Sequence, residues 1–260
     1  MKPILKKMIQ LPSGRIEYAQ SGEGVPAIIL INGGGGPIEG WYKVFHELAG
    51  ETSVLAYNRF GVGKSDKPSR PQHGRAALDT LRELLQEAGL RPPYILAGHS
   101  LGGLYANLFA RDYPGETAGV VLLEASHPQD LAINDTHNGI IRRMNQLLRR
   151  LDSLSSRKKW AEVHYVEETV RQITQAGPFP EIPLVVVAGT KKPPVMPEQA
   201  YRLRTAHQQE FLQLSKQSRL VTASRSGHFP QISEPGMVIQ AIKDCLALVN
   251  QNQNLSKPRS

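Results

Sequence analysis

Five consecutive residues, Gly98-His99-Ser100-Leu101-Gly102, set a serine between two glycines in the pattern G-x-S-x-G. A hydroxyl is a weak nucleophile until a base takes its proton. The pattern therefore carries chemistry only with a strand before it, a helix after it and a base within reach. Residues 94–97 read as the strand and 101–112 as the helix. The turn between them must be tight and strained, with Gly98 and Gly102 avoiding clashes that a side chain would make. Ser100 then stands at the positive end of a helix, which favours developing negative charge. Out of that context the same five letters describe many Gly-rich turns.

The candidate base is His228, in Ser224-Arg225-Ser226-Gly227-His228-Phe229, directly after the last strand. Chain order favours a histidine on a short loop at that point. His46, His73, His137, His164 and His207 lie away from strand ends and His99 is inside the turn, while His127, at a strand end, is a rival. A tetrahedral oxyanion needs backbone N–H donors. One is expected from Leu101 and the other from Asn32-Gly33-Gly34-Gly35-Gly36-Pro37, with Gly34 first and Gly35 second. A glycine run can also cradle phosphate, but no G-K-[ST] follows this one. Gly61-Val62-Gly63-Lys64-Ser65 lacks the four-residue spacer of a P-loop.

The elements that must hold these residues alternate along the chain. Residues 8–11 and 15–20 form a hairpin around Pro12-Ser13-Gly14. Apolar runs at 27–31, 53–57, 94–97, 120–123, 184–188 and 220–223 suit strands buried on both faces. Helices are expected at 41–49, 76–88, 101–112, from 198 to about 218, and at 236–250. Such alternation implies a mostly parallel central sheet flanked by helices. One core domain is expected from 1–127 and 183–250, interrupted by a helical cap at 128–182 and followed by a flexible tail at 251–260.

Two hundred and sixty residues, 40% of them hydrophobic, suffice for one sizeable core. The net charge of +8 gathers partly in Arg142, Arg143, Arg149, Arg150, Arg157, Lys158 and Lys159. No zinc spacing or nucleic-acid signature accompanies it, so a solvated helix face is the better reading. A single cysteine, Cys245, excludes an intrachain disulfide and falls on an apolar helical face. No signal-peptide run or stretch of membrane-spanning length is present, which points to a soluble, cytoplasmic protein.

Taken in order, Asn32-Gly33-Gly34, Tyr57-Asn58-Arg59-Phe60-Gly61-Val62-Gly63-Lys64-Ser65, Gly98-His99-Ser100-Leu101-Gly102-Gly103 and Ser226-Gly227-His228 resemble the α/β-hydrolase superfamily, in its esterase/lipase-like branch. The resemblance covers nearly the whole chain outside the basic insertion. Many members have His-Gly where this chain has Asn32-Gly33, and Asp-Arg where it has Asn58-Arg59. Most carry an aspartate after strand seven, where this chain reads Ala188-Gly189-Thr190-Lys191-Lys192-Pro193-Pro194. Some carry the acid after strand six instead. Glu124 ends that strand here, so the resemblance implies Glu124 as the third triad member, with Glu198 as rival.

The resemblance implies an α/β-hydrolase fold and a serine hydrolase that cleaves a carboxylic ester, thioester or lactone through an acyl-enzyme on Ser100. Ser100, His228 and Glu124 would be catalytic, with Gly34 and Leu101 the oxyanion donors. No metal or organic cofactor is required. The expected partner is a small-molecule ester, with no nucleic acid and no stable membrane insertion, and the oligomeric state is left open. Two alternatives stand beside this: a peptidase that clips N-terminal proline, whose relatives read Gly-Gly-Ser-Trp-Gly at the turn, and a low-turnover ligand sensor of the same fold. Ile140, Ile141, Met144, Leu147, Leu148 and Leu151 give the cap one apolar face.

Overall fold

The computed structural model describes residues 2–131, 160–194 and 196–256. Eight strands form one sheet in the order β1-β2-β4-β3-β5-β6-β7-β8. β1 (Lys7–Leu11) and β2 (Gly14–Ser21) make the expected hairpin, and β2 runs antiparallel to β4 (Val54–Tyr57). From there β3 (Ala27–Ile31), β5 (Tyr94–His99), β6 (Thr117–Leu123), β7 (Leu184–Gly189) and β8 (Ser218–Ala223) are parallel.

Side chains alternate across a strand, and both faces of this sheet are covered. Ile29, Ile31, Leu96, Val120, Leu122, Leu184 and Val186 join one apolar cluster with α2 (Gly74–Glu87), α3 (Leu101–Asp112) and Ile173 of α4 (Val166–Gln175). Ile28, Leu30, Ile95, Ala97, Val121, Leu123, Val185 and Val187 join the other, with α1 (Phe45–Ala49) and the last helix. That arrangement explains why the inner strands read as unbroken apolar runs rather than as alternating ones.

Three boundaries differ from the sequence reading. The stretch 41–49 is a short 3-10 turn, Ile38–Trp41, followed by the one-and-a-half-turn α1. The helix expected from 198 to about 218 is α5 (Glu198–Glu210), which tightens into a 3-10 turn at Phe211–Leu214 that buries Phe211. After the short α6 (Pro230–Ser233), the terminal helix α7 (Pro235–Ser256) continues six residues beyond Asn250. No proline or glycine stops it there, and Asn252 Nδ2 donates to Gln217 Oε1 at 2.8 Å. The remainder of the expected tail, from 257, lies outside the described residues.

The expected cap falls mostly outside them too, including its basic cluster and apolar face. Its returning end, from 160, packs on the core. α4 lies against α2 and α3, and Thr169 Oγ1 and Gln172 Oε1 accept from Gly74 N at 2.8 Å and Arg75 N at 2.9 Å. Those amides are among the unpaired donors at the start of α2. His73, the residue before that helix, accepts from Ala76 N at 3.3 Å. Cys245 is buried under the sheet, and burial pushes its thiol up to about 12. Among the described residues no helix is long and apolar enough to cross a membrane.

Candidate active site

The parallel strands deliver the candidate residues to their carboxyl ends. β5 stops at His99 and α3 starts at Leu101, which leaves Ser100 alone in the turn at φ 52° and ψ −121°. A non-glycine residue there stores about 1–3 kcal/mol of backbone strain. The turn survives because its neighbours over-determine it. Ser100 N donates to Leu123 O at 3.1 Å, and Ser126 N donates to Ser100 O at 3.0 Å. A Cβ on Gly98 would stand 2.5 Å from Gly102 O, and one on Gly102 would stand 2.2 Å from Ile31 O. Neither position has room for one.

His228 reaches the serine from the loop after β8, its Nε2 lying 3.1 Å from Ser100 Oγ. Glu124 follows the last residue of β6 and is itself left-handed at φ 44°. Its Oε1 accepts from Gly189 N at 2.7 Å, while its Oε2 stands 3.6 Å from His228 Nδ1. Burial would raise the Glu124 carboxyl, but His228, Arg204 and the Gly189 amide together hold it below the ordinary carboxylate range. The structure thus brings Ser100, His228 and Glu124 together. The rivals are elsewhere: Glu198 is exposed and pairs with Lys192 and Arg202, and His127 packs on His207 and Phe211.

His99 does more than the sequence reading allowed it. Its ring lies 4.9 Å from that of His228, and its Nε2 is 2.7 Å from His228 O. Burial drives its pKa down to about 4, so the imidazole is neutral at pH 7 and donates that bond. His99 therefore fixes the main chain that carries the candidate base.

The Gly-rich loop after β3 passes beside the serine. A Cβ on Gly33 would lie 3.1 Å from Ser100 Cβ, and one on Gly34 would lie 3.4 Å from Leu101 Cδ2. Gly35 N already donates to Glu162 Oε1 at 2.7 Å, which commits that amide and leaves Gly34 as the expected donor. A buried ion pair holds this loop. Arg59 Nη1 donates to Asn32 O at 2.9 Å and Arg59 Nη2 to Gly33 O at 2.6 Å. Its Nε and Nη2 also meet the Glu162 carboxylate, to which Tyr105 adds a hydroxyl at 3.3 Å. Burial would raise the Glu162 carboxyl, but Arg59, the Gly35 amide and Tyr105 keep it low and charged.

Sequence reasoning did not single out Glu162 or Arg204 and gave Arg59 no role. Arg59 stood inside a quoted motif, but Glu162 is 103 residues away from it and Arg204 is one of many arginines on helices. Among the described residues, His127, His207 and Glu210 are the grouping that could hold a metal ion, with ligand atoms within 4.8 Å of one another. His127 Nδ1, however, accepts from Gln129 N at 3.2 Å, which places its proton on the nitrogen that would have to bind the ion.

The sequence profile of the family described as "Alpha/beta hydrolase family" matches residues 28–241. An uncharacterized protein of Bacillus subtilis is 24% identical over 245 residues, 88% of this chain and 86% of its own. An uncharacterized protein of Schizosaccharomyces pombe is 36% identical over 84 residues, which are 32% of this chain but only 16% of that much longer relative. The solved enol-lactonase from Burkholderia xenovorans LB400 superposes with a TM-score of 0.66 at 19% identity, covering 93% of this chain and 100% of that one. At that identity the likeness is one of fold.

Proposed function

The chain belongs to the α/β-hydrolase family, and we propose that within it the protein is a serine hydrolase of small carboxylic esters, including cyclic ones, that works through an acyl-enzyme on Ser100. The observation that carries this reading is the 3.1 Å contact between Ser100 Oγ and His228 Nε2 at the apex of a strained turn. His228 removes the hydroxyl proton as Oγ attacks the carbonyl carbon, and the amides of Leu101 and Gly34 receive the oxyanion. The proton then passes from Nε2 to the leaving alkoxide, and a water deprotonated by the same nitrogen releases the acid. Glu124 orients the ring and balances the imidazolium. A cavity of about 180 Å³ bounded by Gly33, Gly34, Ser100, His228 and Phe229 would take the ester. Residues 128–182 are read as a cap, with Glu162 tying their returning end to the Gly-rich loop.

Hydrolysis of a p-nitrophenyl ester series tests the reading. Ser100→Ala should lose turnover by about 10⁴-fold or more, and Glu124→Gln should lose about 10²-fold or more in kcat. Equal turnover by wild type and Ser100→Ala would discard the nucleophile, and with it the mechanism.

A further inference from the structure

Two cavities meet at His228. The smaller holds Ser100. The larger, about 460 Å³, lies beyond the histidine, is bordered by Glu124, Lys191 and Arg204, and does not reach the serine. Arg204, on α5, flanks the triad's acid and base, and its Nε donates to Glu124 Oε2 at 3.3 Å. Its Nη2 lies 3.0 Å from Glu124 O, 3.1 Å from Glu124 Oε2 and 3.2 Å from His228 Nδ1. The groups facing the imidazole are therefore Ser100, Glu124, Arg204 and the neutral His99.

These distances bear on the position of one proton. A guanidinium nitrogen only donates. A proton on His228 Nδ1 would face it donor to donor at 3.2 Å, while the alternative acceptor, Glu124 Oε2, makes a longer and weaker contact at 3.6 Å. Nδ1 is better satisfied as an acceptor, which puts the proton on Nε2, pointing at Ser100 Oγ. In that tautomer His228 has no lone pair to offer the serine. Arg204 Nη1, meanwhile, stands 3.9 Å from Asp130 Oδ2, too far for a hydrogen bond. The cavity beside it combines Lys191 and Arg204 with an apolar wall of Ala188, Pro193, Met196 and Leu220. A carboxylate on a short apolar body matches both parts, and carboxylates take guanidinium in bidentate geometry.

We propose that Arg204 gates the triad, holding His228 in the tautomer that cannot act as base until an organic carboxylate binds the neighbouring cavity and draws the guanidinium away. The Nδ1 proton then closes on Glu124, and Nε2 is free to take the proton of Ser100. Arg204 is a positioning residue, and the gate rests on the reading of Ser100 and His228 as nucleophile and base.

The tautomer can be read without a substrate, by ¹⁵N NMR of histidine-labelled protein, and the state of Ser100 by its rate of labelling with a fluorophosphonate. Wild type should carry the His228 proton on Nε2. Arg204→Gln, and Arg204→Lys as the charge-keeping variant that cannot span all three acceptors, should carry it on Nδ1. Hexanoate should move wild type to the variants' tautomer and leave Arg204→Gln unchanged. Labelling should rise about tenfold with either change, a part of the roughly 10²–10⁴ that a general base supplies. A proton on Nδ1 in unliganded wild type, or slower labelling of both variants, overturns the gate; a wild type unmoved by hexanoate overturns the anion site. Failure of the hydrolase reading looks different: Ser100 stays unlabelled in every form while the tautomer still follows Arg204.

Discussion

Ser100 and His228 are legible in sequence because their surroundings are local: a strand, a turn and a helix within twenty residues, or one loop after one strand. Glu124 is picked out only by the family resemblance, since a carboxylate closing an apolar strand otherwise reads as a solvated edge. Arg59 and Glu162 are not legible, since their pairing depends on where the chain returns after about a hundred residues. Their energetics should nevertheless be large. Removing one partner of a buried pair leaves the other uncompensated, at a cost of about 3–5 kcal/mol. Glu162→Gln, which strands a mostly buried guanidinium, should lower denaturant stability by about 3 kcal/mol. It should also cut kcat more than it raises KM, because Arg59 holds the Asn32 and Gly33 carbonyls of the loop proposed to supply an oxyanion donor. Urea melts and steady-state kinetics on the same preparation read both effects. Unchanged kcat in a destabilised variant would confine the pair to folding.

Among the elements, the inner strands were read to within three residues because burial on both faces leaves long apolar runs. Helix ends were read less well. Nothing local distinguishes the α-helical 198–210 from the tighter turn after it; Phe211, packing into the core beneath β8, decides that change. The contact between α4 and α2 likewise has no local signature, since the acceptors at Thr169 and Gln172 cap a helix almost a hundred residues earlier. Each replaces a helix N-cap bond, whose loss costs about 1 kcal/mol. Thr169→Val and Gln172→Leu should each lower stability by about that amount. Hydrogen exchange should report faster opening of the Gly74 and Arg75 amides, and unchanged exchange there would mean that α2 starts without help from α4.

At the scale of the whole molecule, the site couples stability to pH. Free imidazole titrates near 6.5 and His99 in the fold near 4, so between those values the unfolded chain binds the extra proton. Stability from this group is complete above about pH 6.5 and drains as pH falls toward 4, by about 2 kcal/mol between pH 7 and pH 5. Glu124 and Glu162 act in a lower window, because depressed carboxyls keep their contribution until pH falls below about 4.3. The two ranges separate cleanly. His99→Gln, which keeps a donor for His228 O, should reduce the slope between pH 7 and 5 to the share of His73 and His127, which burial lowers in the same direction, and leave the acid limb. Chemical denaturation across that range tests it, and a slope undiminished in the variant would assign it to another group.

Asn58, where the resemblance leads one to expect aspartate, sits with its Nδ2 2.6 Å from Glu17 Oε2 and its Oδ1 2.8 Å from Ile38 N. Glu17 is almost wholly buried and also accepts from Lys64 N at 3.0 Å. An amide can satisfy a donor and an acceptor at once; an aspartate would set two buried carboxylates against each other. The pair therefore has a history written into it. A lineage cannot cross from one residue at 58 to the other without passing through a damaged intermediate or changing position 17 first. Asn58→Asp should fold poorly alone and recover when joined to Glu17→Gln. Among homologues, positions 17 and 58 should exchange together, an acid at one excluding an acid at the other.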